Sequence, residues 1–208
     1  MNWSPDTEAF RPHLTAARPM RIEQTPLPGM LLIEPRVFSD ERGFFLESFN
    51  EERFRKHGLP EHFAQDNHSR SVKGVLRGLH YQMRYPQGKL VTVISGSIFD
   101  VAVDIRRDSP TFGKWHGLTL TSDQPRYAWI PPGFAHGLLV LSEVADVVYK
   151  CTELYRPEDE NGIMWNDPAL GIEWPISRPL LSDKDRRYAN FAHGPNDVPS
   201  AADAAIEP

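Results

Sequence analysis

The feature that most limits what this chain can become is its punctuation. Short runs rich in Val, Ile, Leu and aromatic residues recur at 30–33, 44–49, 90–94, 98–105, 115–120, 127–130, 138–141 and 147–155, set between Gly, Pro, Asp and Ser clusters. Runs of this length and make-up read as β-strands. Only 51–57 reads as a helix, with Asn50 placed to cap its first turn. Residues 165–175 carry scattered apolar residues and prolines and read as short turns or a brief helix. The runs 90–94 and 98–105 flank Ser95-Gly96 and predict a hairpin. Many short strands with few helices give an all-β domain, and the pattern alone leaves sandwich and closed barrel both open.

At 208 residues the chain fits one domain with tails. Residues 1–21 are polar, with Pro5, Pro12 and Pro19, and the stretch from 189 to 208 is rich in Ala, Pro and Asp. Both ends are expected to be loosely held, with the folded domain over 22–188. Cys151 is the single cysteine, so no internal disulfide can form, and a reducing compartment is the natural expectation. Neither a signal-type apolar run nor a stretch near ~18 apolar residues occurs, which points to a cytoplasmic protein away from membranes. A formal charge of −5 argues against a nucleic-acid partner. It leaves room for one small anionic ligand, because local arginines outweigh a weak overall charge.

Chemistry-bearing residues fall in four segments. GVLRGLHYQ at 74–82 holds Arg77 and His80 around a glycine, and Lys89 follows in PQGKLV. Strict alternation would put Arg77 and His80 on opposite strand faces. Gly78 permits a bulge that would bring them to one pocket. PPGFAHG at 131–137 is a rigid turn that delivers His136 to the start of a strand. In YKCTELY at 149–155, period two puts Tyr149, Cys151, Glu153 and Tyr155 on one face. LSDKD at 181–185 brings Asp185 back from the far end of the domain, where a carboxylate can orient a histidine. Each segment alone has an ordinary reading: a half-buried strand histidine, a turn, an aromatic core stripe, a solvated loop.

Together they are specific. FSDERGFFLE at 38–47, QDNHS at 65–69, RGLHYQ, GKLV, the run 99–113 ending in VDIRRDSPTFG, PPGFAHG, YKCTELY, WNDP at 165–168 and LSDKD occur in this order. The set resembles the dTDP-4-dehydrorhamnose 3,5-epimerase family over residues 22–188. That resemblance implies a cupin-type jelly roll, or double-stranded β-helix, with a few short helices, and a homodimer. It implies a dTDP-linked keto-sugar substrate, dTDP-4-dehydro-6-deoxy-glucose, inverted at C3 and C5 in dTDP-rhamnose biosynthesis, which supplies lipopolysaccharide.

The resemblance also implies roles. His80 is the base, Asp185 its carboxylate partner, Tyr149 the acid on the other face, and Lys89 the stabiliser of the enolate oxygen with His136 nearby. Tyr155 stacks on thymine, Arg42 and Arg77 meet the diphosphate, and Glu47, Gln65, Asn67, Glu160 and Lys184 are further substrate contacts. The residue types suit the reaction. Hydrogens beside a ketone are acidic because the carbanion spreads onto oxygen. An imidazole near pKa 6.5 can take one, and a phenol near 10 can return one.

Cupins that hold a metal use His-x-His, then Glu, then a later His. This chain has His80-Tyr81-Gln82 and no Glu between 83 and 89. Two histidines are too few for an ordinary metal site, so no metal and no organic cofactor are expected. A single-centre epimerase or keto-isomerase of another deoxysugar pathway is the nearest alternative. A non-catalytic nucleotide-sugar binding module should lack the base or the acid, yet both are present. A metal-dependent cupin oxygenase would need the missing ligands.

Overall fold

The computed structural model describes residues 19–191. The first half contains β1 (Arg21–Gln24), β2 (Leu31–Glu34), β3 (Val37–Asp40), β4 (Gly43–Leu46), α1 (Glu51–Lys56), β5 (Gln65–Val72) and β6 (Leu76–Gln82). The second contains β7 (Lys89–Ser95), β8 (Ser97–Asp104), β9 (Trp115–Thr121), β10 (Tyr127–Ile130), β11 (Phe134–Val140), β12 (Val144–Cys151) and β13 (Glu160–Gly162). A six-stranded sheet runs β1-β2-β10-β7-β12-β5, and a five-stranded sheet runs β13-β6-β11-β8-β9. Every pair within them is antiparallel. From β5 onward the chain changes sheet at each connection except β8 to β9. This is the cupin-type jelly roll.

The two sheets enclose the main core. Val91, Val93, Ile98, Ala102, Leu120, Ala128, Ile130, Phe134, Leu138, Val140, Ala145 and Val147 meet there. Behind the smaller sheet, Leu79, Tyr81, Val101, Val103, Ile105, Ile163 and Leu170 form a second layer. β8 is therefore covered on both faces, and it is buried along almost its whole length. α1 covers the outside of the larger sheet, and Phe54 is its buried contribution. Asn50 caps it as expected, its side chain accepting from the Arg53 amide at 3.0 Å. Such a cap is worth about 1 kcal/mol.

The hairpin expected at Ser95-Gly96 does not form. β7 pairs with β10 and β12, while β8 pairs with β11 and β9. One residue links the two strands, too few for a two-residue reversing turn. Gly96, at φ +79, instead turns a corner between sheets. A Cβ there would lie 2.2 Å from the Val144 carbonyl oxygen. The 165–175 region forms turns and no helix.

The expected tails lie mostly outside the described residues. At the edges, Arg21 opens β1, and the Ala189 carbonyl accepts from the Met164 amide at 2.9 Å. Phe191 packs against Phe112 with ring centroids 5.1 Å apart.

Candidate active site

Strand alternation aims one set of side chains into the mouth of the barrel. β6 departs from alternation where it matters. His80 faces His136 across β6 and β11, yet Arg77 faces Leu138. Three steps on β6 thus match two on β11, so β6 carries one extra residue. The bulge brings Arg77 and His80 to the same cleft. It is centred on Gly78, at φ +127, where a Cβ would sit 2.5 Å from Gly137 Cα.

The cleft has two adjoining lobes of about 310 and 290 Å³ that share His80, Lys89 and Tyr149. Gln65, Asn67, Tyr155 and Glu160 line one lobe; Arg77, His136, Lys184 and Asp185 line the other. Gln65 and Asn67 share a strand face, with Gln65 Nε2 donating to Asn67 Oδ1 at 2.9 Å. Asp66 points away and meets Lys150.

His80 Nε2 lies 2.6 Å from Asp185 Oδ1. The Ser182 hydroxyl donates to the other Asp185 oxygen at 2.8 Å. A proton on Nε2 shared with this carboxylate leaves the Nδ1 lone pair as the free base. Burial pushes the Asp185 carboxyl up, but its bonds to His80 and Ser182 outweigh that and hold it below the usual range. Beside this pair, the Tyr188 ring packs edge-on against His80, centroids 5.7 Å apart.

Lys89 starts β7 and is partly buried. Desolvation holds its ammonium below the ordinary lysine value, against the opposing charges of Cys151, Glu160 and Asp100. Tyr149 projects from neighbouring β12, and burial raises its phenol. A phenol that resists ionisation is kept as a proton donor. His136 Nε2 lies 2.8 Å from Asp100 Oδ2 in the buried floor.

Tyr155 needs a correction. β12 ends at Cys151, so Tyr155 does not share a strand face with Tyr149. The Thr152 amide donates to the Gly88 carbonyl at 3.0 Å, and Gly88 N–H donates to Thr152 Oγ1 at 2.8 Å. The first bond extends the pairing by one residue, but the Gly88 N–H goes to the Thr152 side chain instead of its carbonyl, and the ladder stops there. Tyr155 reaches the cleft from a loop fastened by its amide to Gln65 Oε1 at 2.8 Å. Its hydroxyl donates to Glu160 Oε2 at 2.6 Å, which with burial pushes the phenol up to about 12.

The cleft thus presents an oriented imidazole, a protonated phenol and a desolvated ammonium around one space. Comparison with known proteins places the chain in a family. The sequence pattern of the dTDP-4-dehydrorhamnose 3,5-epimerase family matches residues 24–193. The chain belongs to that family. It is 55% identical over 175 residues to the dTDP-4-dehydrorhamnose 3,5-epimerase of Pseudomonas aeruginosa, covering 83% of this chain and 97% of the relative. The Shigella flexneri enzyme of the same name is 56% identical over 174 residues, covering 83% and 96%. The crystal structure of dTDP-6-deoxy-D-glucose-3,5-epimerase from Legionella pneumophila, in complex with dTDP-4-keto-L-rhamnose, superposes with a TM-score of 0.84. It is 49% identical and covers 87% of this chain and 98% of its own.

In this member of the epimerase family, two residues matched by motif do not line the cleft. Arg42 sits on the β3–β4 turn, its side chain 84% exposed and paired with Asp40. Glu47 follows β4 and pairs with Arg53 at 3.2 Å. Three residues near the site were not singled out from sequence: Asp100, Ser182 and Tyr188. Asp100 carried a signal, being a carboxylate inside the apolar run of 98–105. Tyr188 carried none. Among the described residues no three His, Cys, Asp or Glu side chains converge as metal ligands, and no helix is long and apolar enough to cross a membrane.

Proposed function

We propose that this protein inverts C3 and C5 of dTDP-4-dehydro-6-deoxy-glucose to give dTDP-4-dehydro-rhamnose. The observation that carries the reading is His80, held by Asp185 through Nε2 at 2.6 Å, in one cleft with Tyr149 and Lys89. His80 Nδ1 removes a proton beside the ketone, and the electron pair moves onto oxygen. Lys89 stabilises that oxygen, with His136 beside it. A single aimed donor of this kind contributes about 2.7–4 kcal/mol to the transition state. Tyr149 returns a proton to the opposite face. Arg77 meets the diphosphate, Tyr155 stacks on thymine, and Gln65, Asn67, Glu160 and Lys184 complete the contacts.

The reaction as written uses no metal or organic cofactor, since Lys89 supplies the charge that polarises the carbonyl. A cytoplasmic role in dTDP-rhamnose supply for lipopolysaccharide accords with the nucleotide-linked substrate. The working form is a homodimer. In support, the β3–β4 hairpin exposes Phe38 and Phe45, the latter at 69%. Arg42 on that hairpin and Glu47 just after it then serve the cleft of the second copy.

The test is NMR of chelator-treated protein with dTDP-4-dehydro-6-deoxy-glucose in D₂O. Deuterium and new stereochemistry at both carbons is expected. Change at one carbon makes it a single-centre epimerase, and exchange at neither, from folded protein, refutes the proposal.

A further inference from the structure

Two inversions by one base create a proton problem. In the D-gluco chair the C3 and C5 hydrogens are both axial and lie on the same face of the ring. A base on that face must take both. After the first, His80 holds the sugar's proton, and Tyr149, having given its own to the other face, is phenolate. Neither group is ready for the second carbon. His80 must lose a proton to water and Tyr149 must gain one from water before the second C–H bond breaks.

Asp185 is a poor outlet. It is fixed on Nε2, and its side chain is only 5% exposed. Glu160 is differently placed. β13 lies beside β6, with Gly162 opposite His80 and Glu160 opposite Gln82. This sets Glu160 Oε1 4.0 Å from His80 Nδ1, the nitrogen that Asp185 leaves free. The other oxygen, Oε2, accepts from the Tyr155 hydroxyl at 2.6 Å and from the Lys184 ammonium. The Glu160 side chain is 11% exposed against 5% for Asp185, and its Lys184 partner is 50% exposed, so in the free protein this cluster leads from the base toward solvent.

We infer that Glu160 is the proton outlet of His80, taking the proton from Nδ1 and passing it to water between the two inversions. The inference rests on the double-epimerase reading above. Burial raises the Glu160 carboxyl, but bonds from Lys184 and Tyr155 and the charge of His80 outweigh it, leaving it below the usual range. A carboxyl of that kind carries a proton briefly and does not keep it. The transfer breaks the N–H bond of imidazolium, forms an O–H bond on Glu160, and ends as hydronium, so charge and atoms balance.

The test uses the full chain in excess over dTDP-4-dehydro-6-deoxy-glucose, quenched at intervals and read by NMR for each inverted carbon. In Glu160→Gln the ratio of the second inversion rate to the first is expected to fall at least tenfold, so singly inverted sugar accumulates. Glu160→Ala is expected to show the same fall and to recover with added formate. Circular dichroism confirms that each variant is folded. A smaller change in the ratio, including equal slowing of both steps as for a plain substrate contact, overturns the outlet. If the unaltered protein inverts only one carbon, the double-epimerase reading fails with it. If it inverts two and the variants keep the ratio, the outlet alone fails.

Discussion

His136 stands directly opposite His80 across β6 and β11, and each ring commits its Nε2 to a separate buried carboxylate. Asp185 holds one at 2.6 Å and Asp100 the other at 2.8 Å. The two carboxylates arrive from different places, Asp100 from the neighbouring strand β8 and Asp185 from the end of the domain. One cross-strand pair therefore supplies two imidazoles of fixed tautomer to a single cleft. Fixing both rings before substrate arrives removes a reorganisation cost from the chemical step.

The His80–Asp185 pair separates base strength from folding. His80→Ala is expected to lower kcat by at least about 10²–10⁴, or roughly 3–5 kcal/mol, while circular dichroism stays unchanged. Asp185→Asn keeps the size but loses the charge that stabilises imidazolium, and should fall in the same direction. Steady-state kinetics on folded protein decide the matter. Near-normal turnover in His80→Ala would remove it from the mechanism.

Lys89 and Tyr149 shift in opposite directions, which bears on the alkaline limb of activity. In the proposed reaction both must be protonated to work. Desolvation moves Lys89 below its ordinary 10.5, and burial moves Tyr149 above its ordinary 10.0. As pH rises, Lys89 is drawn toward losing its charge early and Tyr149 toward keeping its proton late. The fall of kcat/KM at high pH is therefore expected to belong to Lys89. Lys89→Arg, whose guanidinium stays charged, should lower the plateau and move the limb to higher pH. A limb that stays in place would assign it to another group.

Most strands and the site motifs were legible because turn residues and apolar runs act locally. The partner of each strand was not. Ser95-Gly96-Ser97 looks like a reversal, but β7 and β8 each have two other partners that the local sequence does not name. Tyr155 was misplaced for a similar reason, since the Gly88 N–H to Thr152 Oγ1 bond at the end of β12 joins residues far apart in sequence. The Arg77–His80 relation was legible as a possibility, because Gly78 is the residue that permits it. Arg42 and Glu47 show the remaining limit: a motif identifies a residue type, and only the fold shows which cleft it can reach.

The hairpin carrying Arg42 tests the homodimer. Phe45 is the most exposed of its aromatics, with Phe38 tilted against it at 6.3 Å between ring centroids. A charge placed on an apolar interface is costly to desolvate. Phe45→Asp is expected to shift the protein from dimer to monomer in light scattering and to reduce turnover with it. A dimer of unchanged activity would place the interface elsewhere.

Gly78 bears on fold and chemistry at once. Its φ of +127 is strained for any residue with a Cβ, which costs about 1–3 kcal/mol. That Cβ would also meet Gly137 Cα at 2.5 Å and the His136 carbonyl oxygen at 2.8 Å, both backbone. No rotamer change relieves such contacts. Gly78→Ala must therefore either lose stability or shift β6 against β11. A shift would undo the extra residue of the bulge and return Arg77 to the face opposite His80. The expected result is a lower urea midpoint and, in the protein that remains folded, a loss of turnover far larger than from Gly58→Ala. Gly58 also has positive φ, +66, but no atom lies within 4 Å of its Cβ position and it sits just beyond α1. Comparable effects of the two substitutions would mean that backbone conformation alone matters. A loss confined to Gly78→Ala would tie the bulge to the placement of the base.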